Sequence, residues 1–216
     1  MSDLTILEKI IIWAIPVVFA ITVHEVAHGW VANRLGDATA KSRGRLTLNP
    51  LKHIDPVGTV LLPAILLYIG GFVFGWARPV PVTWQNLGHP RRDMALVAIA
   101  GPVANLVMML LWALLAKVIL LFNPFPTGTL ELFIVMCSAG IIINIVLMVI
   151  NLIPVLPLDG GRVMNSLLPP RLAVAYARLE PFGLIIIVLL LATGLLARYL
   201  SPVVYAIQTF VYQLIG

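Results

Sequence analysis

Charge is what this chain has least of. Of its 216 residues, 11% are Asp, Glu, Lys or Arg and 61% are hydrophobic, and the mean hydropathy is +1.03. Ordinary soluble domains carry about 25% charged residues, so the composition excludes one and predicts an integral membrane protein. Cysteine is nearly absent. Cys137 stands alone, which excludes an intramolecular disulfide, and its apolar surroundings predict a buried, inert thiol. The opening Met1-Ser2-Asp3-Leu4 lacks a basic stretch, so no cleavable signal peptide is expected. A net charge of +5 is modest and falls in the loops, which fits positive-inside anchoring and no nucleic-acid partner. Internal repeats and low-complexity tracts are also missing.

What is present is a series of apolar runs. They are Ile10 to about Leu35, Pro56 to Ala77, Met94 to Phe122, Leu132 to Leu158, Pro181 to Ala197, and a tail from Tyr199 to Gly216. A bilayer core needs about 20 helical residues. The expectation is an all-α polytopic membrane protein with about 4–6 transmembrane helices, forming one membrane-embedded domain over 1–216. The second run differs from the others because Pro63, Gly70-Gly71 and Gly75 interrupt it. Lys and Arg number five in Arg34–Asp55, three in Arg78–Asp93, none in Asn123–Glu131 and three in Asp159–Glu180. If Pro56–Ala77 dips in and returns, the basic loops share one side of the membrane. A re-entrant element is therefore expected between the first two full spans. Arg43–Leu48 and Arg78–Trp84 alternate in character and are expected to be short and extended, the second confined to an edge by its prolines.

Inside the first run lies His24-Glu25-Val26-Ala27-His28. Ionisable groups in a membrane helix mark a site by default. At about 100° per residue, positions i and i+4 lie one turn apart on one face, so both imidazoles converge on one ion. Glu25 falls between them in angle, where a general base would sit. With four His and four Glu in the chain, a His-Glu-x-x-His match by shuffling has odds of about one in a thousand. A catalytic zinc usually takes three protein ligands and leaves a position for water. The third ligand comes from elsewhere, among His53, His89, Asp55, Asp93, Glu131, Asp159 and Glu180. Asp159 is favoured. It ends the fourth run, after helix-stopping Pro154 and Pro157 and before Gly160-Gly161, where a carboxylate is costly unless paired.

His24-Glu25-x-x-His28 together with Asn151-x-x-Pro154-x-x-x-Leu158-Asp159-Gly160, and with Gly101-Pro102-Val103-Ala104-Asn105, resembles the site-2 protease family of intramembrane zinc metalloproteases. The likeness covers the whole chain and is to minimal bacterial members without PDZ or CBS domains. It implies one zinc ion per chain held by His24, His28 and Asp159, water activation by Glu25, and a substrate-carbonyl contact at Asn151. It also implies a membrane-protein substrate with a transmembrane helix, the lipid bilayer as surroundings, and a multi-pass location in the cell (inner/cytoplasmic) membrane. Two features depart from the pattern. The motif sits on the first span, and Pro56–Ala77 is additional to a three-helix core.

An unwound substrate strand would pair with the Arg43–Leu48 and Arg78–Trp84 segments, and in the second Val80 and Val82 are candidate substrate contacts. Small residues in Ala98–Asn105 are expected to pack helices closely, with Asn105 a candidate to face the substrate. Two rival functions are a membrane metal transporter or channel and an inactive scaffold homologue. The first would spread ionisable groups over successive helices, and intact Glu25 argues against the second.

Overall fold

The structure, a computed structural model, describes residues 5–61, 65 and 78–215. Among them the regular elements are helices, and we number the α-helices in chain order. Helix α1 is Ile6–Arg34, α2 the single turn Thr39–Ser42, α3 Pro90–Phe122, α4 Thr129–Asn151, α5 Asp159–Leu167, α6 Pro170–Ala177, α7 Glu180–Ala192 and α8 Leu195–Ile215. Helix α1 starts at a capping box. Thr5 Oγ1 accepts from the Glu8 amide, and the Glu8 carboxylate accepts from the Thr5 amide. Its acidic first turn and basic last turn suit the helix dipole.

Among the described residues three helices, α1, α3 and α4, are long and apolar enough to cross a membrane. A fourth span results if α6 and α7, bent by 62° at their junction, are counted together. The protein is thus an all-α polytopic membrane protein. Within the apolar run Pro181–Ala197, α7 ends at Ala192, and Gly194, at φ +71°, turns the chain into α8. Most of Pro56–Ala77, where a re-entrant element was expected, lies outside the described residues. Its start, Pro56–Leu61, is a π-helical turn. Arg43–Leu48 is a series of turns rather than an extended strand, because Gly44 takes φ +62°. Arg78–Thr83 is non-helical and unassigned to a ladder, running extended into Thr83 before a 3-10 turn at Trp84–Asn86.

Helix α3 is the hub, packed on α1, α4, α5 and α8, with α1 also on α4. Its packing face carries small residues such as Ala98, Ala100, Gly101, Ala113 and Ala116. Its outward face carries Leu106, Val107, Leu110, Leu111 and Leu114. Large apolar residues outside and small ones inside are what lipid as solvent dictates, since close backbone approach replaces hydrophobic expulsion. On α1 the buried stripe climbs in steps of four, through Ile12, Pro16, Ala20, His24, His28 and Ala32. The two histidines therefore occupy the packing face of their helix, against α3.

Candidate metal centre

His24 and His28 meet Asp159 at the first residue of α5. Pro154 and Pro157 end the preceding helix and fold the chain back, so α5 begins beside α1 and α3. Gly160 is required there. A Cβ would collide with the backbone carbonyl of Leu152. Gly101 is required on the other wall, where a Cβ would lie 2.5 Å from His28 Nε2 and 2.6 Å from His24 Nε2. The sequence reading placed Gly101 in a helix-packing stretch. Its sharper effect is to leave room beside both imidazoles.

Hydrogen bonds fix the tautomers. His28 Nδ1 donates to the Val97 carbonyl at 2.7 Å. His24 Nδ1 donates to Asn105 Oδ1 at 2.6 Å, an assignment set by the Asn105 amide group donating at 2.9 Å to Asn144 Oδ1. Asn144 in turn donates to the Gly140 carbonyl at 2.8 Å. With each Nδ1 carrying the proton of a neutral ring, each Nε2 is a lone pair. These lone pairs face one another at 3.0 Å and face Asp159 Oδ2 at 3.2 and 3.3 Å. Asp159 Oδ2 is buried without a hydrogen-bond donor.

Three acceptors converging on one point repel each other unless a cation lies between them. The spacing identifies a suitable size. Ligands about 2.1 Å from a tetrahedral zinc are about 3.4 Å apart, and the observed triangle has edges of 3.0, 3.2 and 3.3 Å. The two-histidine, one-carboxylate donor set is also one that catalytic zinc uses. The residues present therefore fit the ion.

Glu25 is half-buried on the same helix, and its Oε2 accepts the Val80 amide at 2.7 Å. The Arg78–Trp84 segment thus reaches the motif directly. Val80 is buried, and Val82 packs against the cluster of Ala32, Leu87 and Val97, so both side chains point into the protein. Asn105 does not face open space. It is 0% exposed, and both ends of its carboxamide are bonded within the protein. Asn151, at the end of α4, is half-buried and donates to its own helix at the Leu147 carbonyl, 2.9 Å away. His53 bonds the Thr47 carbonyl, and His89 is the exposed N-cap of α3.

Sequence reasoning missed Asn144, Asp37 and Arg45. Asn144 carried a usable signal, being a polar residue inside the most apolar of the long helices. Asp37 is 0% exposed and gathers the loops. Its carboxylate accepts from the Thr39 amide and hydroxyl, from Asn86 Nδ2 at 3.0 Å and from the Thr83 amide at 2.6 Å. Burial raises this carboxyl, yet the bonds from Thr39, Asn86 and Thr83 hold it below its ordinary value.

Comparison with known proteins agrees with this chemistry. The chain is 41% identical over 197 residues to "Putative zinc metalloprotease YwhC" of Bacillus subtilis, covering 89% of this chain and 85% of the relative. It is 33% identical over 191 residues to "Putative zinc metalloprotease Rip2" of Mycolicibacterium smegmatis, covering 86% of this chain and 68% of the relative. Neither a family model nor a solved structure matches. A buried triangle of lone pairs and two relatives aligned over most of their length lead to one conclusion: the chain belongs to the zinc metalloprotease family of YwhC and Rip2.

Proposed function

We propose that this protein is an intramembrane zinc endopeptidase of the site-2 protease kind, hydrolysing peptide bonds in or near transmembrane segments of other membrane proteins, in the cell (inner/cytoplasmic) membrane. The observation that carries this reading is the convergence of His24 Nε2, His28 Nε2 and Asp159 Oδ2 on a packing face of a membrane-length apolar helix. Those three atoms would hold one zinc ion per chain. Bound there, zinc supplies a water of pKa about 7 and polarises a carbonyl.

The protein groups do the rest. Glu25, next in sequence to one ligand, takes the proton of the attacking water and returns it to the leaving amine. The Val80 amide orients its carboxylate through Oε2, leaving Oε1 for the proton. Asn105 and the Val97 carbonyl keep the imidazole protons on Nδ1. Asn105 is thus a positioning residue, and Asn144 positions it in turn. One Asn151 N–H is used by Leu147. A carboxamide has a second, which would donate to the substrate carbonyl. A helical substrate hides its carbonyls, so the scissile segment must unwind. With Val80 and Val82 facing inward, the Arg78–Trp84 segment would meet such a strand through its backbone.

The test uses the purified chain in detergent with a model transmembrane substrate. Expected are one zinc per chain by elemental analysis and cleavage that a zinc chelator stops. The variant Glu25→Gln should keep its zinc and lose cleavage. Metal-free protein that still cleaves, or a fully active Glu25→Gln, would overturn the reading.

A further inference from the structure

A cluster of basic side chains lies in the loops, and none of its members belongs to the His24–His28–Asp159 triad. A cavity of about 310 Å³ is lined by Arg43, Arg45, Lys52, Arg78, Pro79 and Pro81. Four of its six walls are cationic, and none is acidic. Among the described residues none of these cations forms an ion pair. Arg45 is the telling member. It is 8% exposed, yet its guanidinium meets neutral carbonyls, those of Lys52, Arg78 (2.7 Å) and Pro79 (3.4 Å). Its Nε is buried with no acceptor. Burial and the neighbouring Arg78 cation both work against its charge, and Glu25 offsets them from a distance.

A buried guanidinium among like charges is unfavourable unless an anion completes it. An anion with several oxygens suits donors arriving from separate loops, as Arg forks and a Lys ammonium do around phosphate. We propose that this cavity binds a phosphate group, on a lipid headgroup or free in solution. The same cavity communicates with the motif. Arg45 grips the carbonyls of Arg78 and Pro79, and the next residue, Val80, donates to Glu25. A bound phosphate would therefore steady the segment that orients the carboxylate.

The proposal is independent of the proteolytic reading, and its test does not use cleavage. Wild type is compared with the double variant Arg43→Ala/Lys52→Ala, both positions being exposed and outside the helix core. One arm titrates inorganic phosphate against protein in neutral detergent at fixed ionic strength, read by phosphorus line broadening. The other arm reconstitutes the protein with equal phosphatidylglycerol and phosphatidylcholine, and native mass spectrometry reads the retained lipid. Saturable phosphate binding weakened at least tenfold in the double variant identifies free phosphate. Preferential phosphatidylglycerol retention lost in the double variant identifies a headgroup. If neither arm separates wild type from variant, the site does not exist. Should the double variant fail to fold, Arg78→Gln replaces it with the same readouts.

Discussion

Two regions meet at Glu25 and are held by opposite chemistries. On one side, the imidazoles of His24 and His28 are positioned by uncharged groups: the Val97 carbonyl, Asn105, Asn144 and the Gly140 carbonyl. On the other, the Arg78–Trp84 segment is positioned by ions: Arg45 through two carbonyls and Asp37 through the Thr83 amide. Access to water explains the difference. Asn105 and Asn144 lie between apolar helices, where an ionised support would pay full desolvation and a neutral amide ladder avoids it. The loops keep neighbouring solvent and several donors per charge, so a buried carboxylate becomes a strong clamp. The lesson is that the histidine-bearing helix is held by neutral amide and carbonyl groups, and the segment beside it by charged side chains.

The largest expected effects break the helical side. Asp159→Ala removes one of three donors, and zinc should be nearly absent after purification, measured by elemental analysis. Metal content equal to wild type would remove Asp159 from the ligand set. Glu25→Gln separates chemistry from metal: turnover should fall by about 10²- to 10⁴-fold, the usual contribution of a general base, with zinc unchanged.

Smaller effects sharpen the contrast. Asn105→Ala should weaken zinc binding by about 10- to 100-fold, as loss of a ligand's hydrogen-bond partner does. Competition with a chelator measures it. Asn144→Ala should do less, and the double variant should resemble Asn105→Ala alone because the two act in series. On the loop side, Asp37→Ala removes a buried acceptor of four hydrogen bonds. A loss of about 3 kcal/mol is expected, since charged hydrogen bonds contribute roughly 1.5–3 kcal/mol each and some solvent compensates. Denaturation in mixed micelles measures the loss, and zinc affinity should change less than in Asn105→Ala. The acid response follows the same logic. The Asp37 carboxyl is lowered in the fold, so its contribution is complete above the ordinary Asp value of about 3.9 and fades as pH falls through the folded value. Asp37→Ala should flatten that acid limb.

Legibility in the sequence followed the same division. The long helices were readable because uninterrupted apolar runs admit few alternatives, and the i, i+4 spacing of His24 and His28 put them on one face before any packing was known. Asp159 could be singled out because a carboxylate after a proline-broken apolar stretch needs a partner. Hydropathy did not show that the run Pro181–Ala197 divides at Gly194 into α7 and α8, nor that a 62° bend between α6 and α7 precedes it. Arg43–Leu48 was misread as extended because alternation outweighed Gly44. Asp37 and Arg45 were overlooked because charged loop residues are solvated by default, and nothing local says these two are buried.

By itself the sequence determined that the protein lives in lipid, which helix carries the imidazoles, and that a glutamate stands beside them. Those properties depend on composition and on the fixed pitch of a helix. Tertiary structure decided the rest: the 3 Å triangle of lone pairs, the Asn105–Asn144 ladder that sets a tautomer, the space kept by Gly101, and the seating of Val80 on Glu25. Each joins residues dozens of positions apart, and only packing can set such distances.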